Sequence, residues 1–169
     1  MINNANIIIR NAEDPNLAGM SDANKKSLNG EARFFRAYAY NILATCFGGV
    51  PIQRDPLTKP KTDFTRAPID SVNNLIIEDL LYAAANLPEP GGFNSRTNAN
   101  GKPTARANKY QAMQLLAEVY IRAGKPALAE AQCDLIINSG KFALNNTRFG
   151  IKATQAGDPF NDMFWYGNQ

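Results

Sequence analysis

The feature that most constrains this chain is a long apolar helix forced to stop. From Gly30 to Pro56 the sequence reads GEARFFRAYAYNILATCFGGVPIQRDP. Its apolar residues Leu28, Ala32, Phe35, Ala39, Ile42 and Cys46 recur in steps of four and three, the spacing of one continuous helical stripe, which predicts a buried face. Gly48-Gly49 ends the pattern, and Pro51 removes an amide and pushes Val50 into an extended conformation. A buried helix therefore hands the chain to a rigid loop. Small residues (Ala32, Ala39) alternate with large ones (Phe35, Ile42) along the stripe, which suits helix-on-helix packing better than a sheet.

In chain order, the same periodicity predicts helices over about 3–12, 22–47, 70–87, 104–123 and 126–139. Long loops at 48–69 and 88–103 and an irregular tail at 141–169 complete the reading, with a short helix near Pro159 in the tail. The first helix places Ile2, Asn6, Ile9 and Ala5, Ile8, Ala12 on adjoining faces and ends at Asp14-Pro15. Ser21 or Asp22 caps the second helix and Asp70 or Ser71 the third, because short oxygen-bearing side chains satisfy first-turn amides. Val72, Ile76, Leu80, Ala83 and Leu87 make the third helix's stripe. The fourth is apolar on two sides, Tyr110, Met113, Ala117, Tyr120 and Ala112, Leu116, Val119, Ala123, as expected of a helix sandwiched between neighbours. Gly124 ends it, Pro126 opens the fifth, and Ala129, Cys133, Ile136 and Ile137 carry the last stripe.

Composition excludes some chemistry. There is no histidine, so the commonest general base and metal ligand is missing, and no cofactor or metal is expected. Cys46 and Cys133 both fall at apolar helical positions and read as buried free thiols. The basic residues Arg96, Lys102, Arg106, Lys109, Arg122 and Lys125 straddle a loop and a helix instead of lining one face, which argues against nucleic acid. Glu78 and Asp79 are adjacent on one helix and diverge by about 100°, wrong for paired acid/base work. No phosphate loop, metal cluster or nucleophile elbow is visible, so no catalytic residue is assigned and an enzyme is not expected.

The fourth and fifth helices match a helical-repeat spacing. With Leu116 and Ala117 at positions seven and eight of a tetratricopeptide unit, Tyr120 falls on eleven, Ala129 on twenty, Cys133 on twenty-four and Ile136 on twenty-seven. Together with the earlier helix pairs, this predicts an all-α fold: a right-handed α-superhelix of tetratricopeptide-like pairs with long irregular loops.

GEARFFRAYAYNILATCFGGVP resembles the signature of the SusD/RagB family of outer-membrane nutrient-binding lipoproteins, an E-A-R-F-x-R-A-Y helix running into an F-G-G-x-P turn. NNANIIIRN, IIEDLLYAAANLP, ANKYQAMQLLAEVYIRAGKPALAEAQCDLIINSGKFAL and DPFNDMFWYGNQ resemble the family's other motifs in the same order. The resemblance implies that residues 1–169 are part of a longer SusD-like domain, its tetratricopeptide-like half. It also implies a cell-surface location through a lipid anchor outside this sequence, a TonB-dependent transporter barrel as partner, and an oligosaccharide, or less readily a peptide, as ligand. The alternative is a tetratricopeptide scaffold for protein–protein interaction.

A glycan site needs an aromatic platform beside planar polar groups, which points to loop residues Phe64, Arg66, Phe93, Asn94, Arg96, Trp165 and Tyr166. Arg33 and Arg36 lie off the apolar stripe and are expected to be solvated or structurally paired, possible partners being carboxylates across helix pairs. Tyr38 and Tyr40 are expected to pack, with hydrogen-bonded hydroxyls.

Overall fold

The computed structural model describes residues 1–90, 106–144 and 146–165, and these form helices and irregular segments without strands. The elements are α1 (Ile2–Ala12), α2 (Asp22–Phe47), α3 (Ile69–Asn86), α4 (Lys109–Arg122), α5 (Pro126–Asn138) and the short α6 (Pro159–Asp162). Phe93, Asn94, Arg96 and Tyr166 lie outside the described residues. Two compact units divide the chain, Met1–Ile136 and Ile137–Gln169.

In the first unit α2 packs against α1 and α3, and α3 packs in turn against α4. The stripe of α3 is buried as its periodicity demands: Val72, Leu75, Ile76, Leu80 and Ala83 are sealed from solvent, and Leu87 nearly so. Each fully buried Val, Leu or Ile side chain contributes about 1.5–3 kcal/mol. Both apolar sides of α4 are covered, with Ala112, Leu116 and Val119 sealed and Tyr110, Met113, Ala117 and Tyr120 buried. In α1, Ala5, Asn6, Ile9 and Ala12 are buried, whereas Ile8 is exposed.

The stripe predicted for α2 is out of phase. Phe35 is 41% and Ile42 47% exposed, and Cys46 is exposed too, whereas the buried residues are Ser27, Asn29, Gly30, Ala32, Arg36, Ala37, Tyr40 and Ala44. The reason is that α2 is apolar on more than one side, and the face it buries carries polar groups that are paired there. Cys133 is half-buried and Cys46 exposed, although both thiols are free as expected. In α5 only Ala129 is buried, and Ile137 is 71% exposed.

The helix ends follow local chemistry. Ser21 caps α2 by accepting from the Asn24 amide at 3.3 Å. The cap predicted for α3 is displaced: Pro68 precedes its first turn and no side chain caps it. The start of α4 is also later than predicted, because Asn108 and Gln111 form a reciprocal capping box. Gly124 ends α4 with a left-handed φ of 70°, and the Lys125 amide returns to the Tyr120 carbonyl, a Schellman closure. Arg122 ties three helices together through Asn73 of α3 and Asn41 and Thr45 of α2. All three acceptors are neutral, and burial lowers the Arg122 pKa while Glu118 opposes the shift.

Gly48 and Gly49 do different work at the stop. Gly48 takes a left-handed φ of 69°, and its amide closes the helix on the Ala44 carbonyl. At Gly49 a β-carbon would lie 2.2 Å from the Ala67 carbonyl oxygen, so only glycine lets the two ends of the loop meet. They are held together by the Ala67 amide on the Val50 carbonyl and by Arg66, which donates to the Gly49 and Phe47 carbonyls.

In the second unit a buried carboxylate is the organising group. Asp162 accepts two bonds from Arg148, at 2.6 and 2.9 Å, and a third from the Phe149 amide. Arg148 also donates to the Lys152 and Gln155 carbonyls. Its guanidinium holds the Asp162 carboxyl below the usual carboxylate range.

Candidate functional site

The segment after Pro51 is irregular, so its peptide groups find partners outside any helix or ladder. The Gln53 amide donates to the Tyr40 hydroxyl at 2.7 Å, and the Leu57 amide to Asn3 Oδ1 at 2.7 Å. Asn6 Nδ2 donates to both the Gln53 and Asp55 carbonyls, at 3.0 and 3.2 Å. Beneath these groups lies a buried ion pair. Arg36 Nε and Nη2 meet the two Asp79 oxygens at 2.7 Å each, and Arg36 Nη1 donates to Asn6 Oδ1 at 2.9 Å. Arg33 joins from one turn earlier, donating to Asp79, to Glu13 and to Asn29 while its guanidinium lies over the Tyr82 ring. Both signature arginines are thus structurally paired, as expected, and Asp79 is a carboxylate across a helix pair. Tyr40 is buried with a bonded hydroxyl as predicted, whereas Tyr38 is 43% exposed.

The C-terminal end of α1 and this segment enclose a cleft of about 440 Å³, lined by Asn6, Ile9, Arg10, Asn11, Glu13, Asp14, Arg54, Asp55 and Pro56. Several lining groups are already committed. Asn6 has spent its whole amide, and Arg54 pairs with Glu78 through both terminal nitrogens. Burial pulls the Glu13 carboxyl upward, but Asn29 and Arg33 outweigh it and hold the pKa below the usual range. The Arg54 bond likewise holds Glu78 low against burial. The side chains of Arg10, Asn11 and Asp55, in contrast, make no side-chain hydrogen bond among the described residues. The cleft therefore presents planar donors and acceptors of both signs, with Ile9 and Pro56 as apolar wall, a set that matches hydroxyl groups. No group of three or more His, Cys, Asp or Glu among the described residues could hold a metal ion, and no helix among them is long and apolar enough to cross a membrane.

Of the residues singled out from sequence, Phe64 is 45% exposed with the Lys61 ammonium 5.4 Å from its ring centre. Arg66 is occupied with loop carbonyls. Trp165, in the second unit, is 40% exposed and has the Lys152 ammonium over its ring. Phe64, Arg66 and Trp165 do not line the cleft. Arg10, Asn11 and Asp55, which do, carry no signal in the sequence beyond their place beside Asp14-Pro15 and Pro56.

The first unit is thus a helix-pair scaffold that fixes an irregular polar loop beside a cleft. The family model described as SusD-like, starch-binding associating with outer membrane, matches residues 1–121 of this chain. The chain belongs to that family. A laminarin-binding SusD-like protein is similar at 27% identity and a TM-score of 0.64, covering 79% of this chain and 27% of its own. Surface glycan-binding protein A from Bacteroides fluxus is similar at 25% identity and a TM-score of 0.68, with 85% and 29% covered. A SusD-like carbohydrate-binding protein from Bacteroides fragilis shares the fold at 24% identity and a TM-score of 0.69, with 83% and 26% covered. The chain spans less than a third of the length of these structures. No curated protein matches it.

Proposed function

We propose that this chain is part of a cell-surface protein that captures an oligosaccharide at the outer membrane and passes it to a TonB-dependent transporter, the whole held there by a lipid anchor. The observation that carries the reading is membership of a family described as starch-binding and associating with the outer membrane. The laminarin-binding and surface glycan-binding relatives point the same way. The cleft between α1 and residues 54–56 is a place where described residues offer uncommitted hydrogen-bonding groups, and Arg10, Asn11 and Asp55 are its proposed ligand contacts. The loop aromatics Phe64, Phe93, Trp165 and Tyr166, with Arg66, Asn94 and Arg96, remain proposed contacts for extended ligands. The reading is of recognition without chemistry. Release of reducing ends from any polysaccharide would replace it with that of a hydrolase.

Affinity electrophoresis of the full chain against starch, laminarin and a wider panel tests the reading. Retardation by at least one neutral glycan, weakened by Arg10→Ala and Asp55→Ala, is expected. Arg10 supplies one positive charge, while Asp14 and Asp55 supply two negative, so neutral polymers should outbind uronate-rich ones. If no glycan retards the protein, sugar gives way to peptide. The scaffold alternative rests on the exposed Phe35, Tyr38 and Ile42 of α2, and capture of a protein partner that persists in Arg10→Ala would favour it.

A further inference from the structure

We infer that Asn6, Arg36, Tyr40 and Asp79 are positioning residues for ligand capture, holding residues 53–57 in their ligand-facing conformation before any ligand arrives. This rests on the reading of the cleft as the glycan site. The backbone of the segment is held by side chains of α1 and α2: the Gln53 and Leu57 amides by Tyr40 and Asn3, and the Gln53 and Asp55 carbonyls by Asn6. Asn6 can do this in one orientation only. Its Oδ1 accepts from Arg36 Nη1, and a flipped amide would set an NH2 against the guanidinium and turn an oxygen toward two carbonyls. Arg36 is aimed in turn by its two-pronged pair with Asp79, where the acid is fully buried and the arginine 3% exposed. An apolar pair of similar volume would hold α2 on α3 at least as well. What the polar pair adds is direction, transmitted through one amide to the backbone on either side of Arg54 and thus to Asp55 in the cleft. A ledge fixed in advance spares the ligand the entropy of ordering it.

The test compares the full chain with Tyr40→Phe, which removes one hydroxyl and keeps the ring in the core, and with Val119→Ala. Val119 of α4 is fully buried, makes no hydrogen bond to residues 53–57 through its apolar side chain and does not line the cleft, so its truncation should lower stability alone. Two quantities are read: affinity for whichever glycan wild type retains, and amide hydrogen exchange at Gln53 and Leu57. Tyr40→Phe should weaken binding by about tenfold, the scale of re-ordering one residue on binding, and should speed exchange at Gln53 while α3 and α4 amides stay protected. Val119→Ala should leave affinity unchanged. Wild-type affinity in Tyr40→Phe, or loss in Val119→Ala in proportion to its stability, overturns the inference, as do Gln53 and Leu57 amides that exchange in wild type as fast as Lys61. A wild type with protected amides that binds no glycan counts against the reading of the cleft instead.

Discussion

Arg36 has almost no water around it, and its donors are met by Asp79, Asn6 and the Arg54 carbonyl. Removing the guanidinium strands a sealed carboxylate. Arg36→Met should therefore cost about 3–5 kcal/mol by urea denaturation, near the lower end because Arg33 still reaches Asp79 at 3.2 Å. The double variant Arg36→Met, Asp79→Leu should recover much of that loss, since it leaves no buried charge behind. Acid should act on the rim of the same network. Glu13 and Glu78 are held below their ordinary pKa in the folded chain, so the stability they contribute is present above the unfolded value and lost as pH falls through the lowered one. A denaturation midpoint that is level from neutral pH down to about 5 and falls below about 4 is expected, with a shallower fall in Glu13→Gln, Glu78→Gln. High salt should shrink the difference, because both acids are largely exposed.

At the scale of the element, the order of the helices and several of their ends were legible because caps and breakers act locally: Ser21, Gly48, Gly124 and Pro126 sit where their chemistry places them, whereas the starts of α3 and α4 fall elsewhere than expected. Asn108→Ala should accordingly cost about 1 kcal/mol in urea denaturation, the loss of one cap, and should fray the first turn of α4. Gly49→Ala should cost about 1–3 kcal/mol and speed exchange of the Ala67 amide, because its β-carbon must displace the Ala67 carbonyl. The stripes of α3 and α4 were legible for another reason, since their buried faces are apolar. The face of α2 was not. Apolar counting puts Phe35 inside and Arg36 outside, and one step along a helix turns the face by about 100°. Only the partners, Asp79 from 43 residues on and Asn6 from 30 residues back, explain why an arginine takes the interior position. The cleft was illegible on the same grounds: Arg10 and Asp55 line one cleft because a loop folds back onto α1, and neither sequence neighbourhood encodes the other.

The whole molecule has two units, and their stabilities need not travel together. Arg148→Met removes the group that ties Asp162, Lys152 and Gln155, so amides in 146–165 should lose protection while those of α3 and α4 keep theirs, as read by hydrogen exchange. A single transition with both regions opening together would show one cooperative structure instead. In the first unit the pinned ends of the loop have a consequence for how such a protein can diversify. Arg66 and Ala67 are clasped to Phe47, Gly49 and Val50, and Leu57 is anchored on Asn3, leaving only residues 58–65 strung between two fixed points. Doubling the length of that span costs about 0.6 kcal/mol of closure entropy. Insertion and rewriting there are therefore nearly free to the helices, which makes 58–65 the natural place for descendants of this chain to acquire new tastes while keeping the same frame.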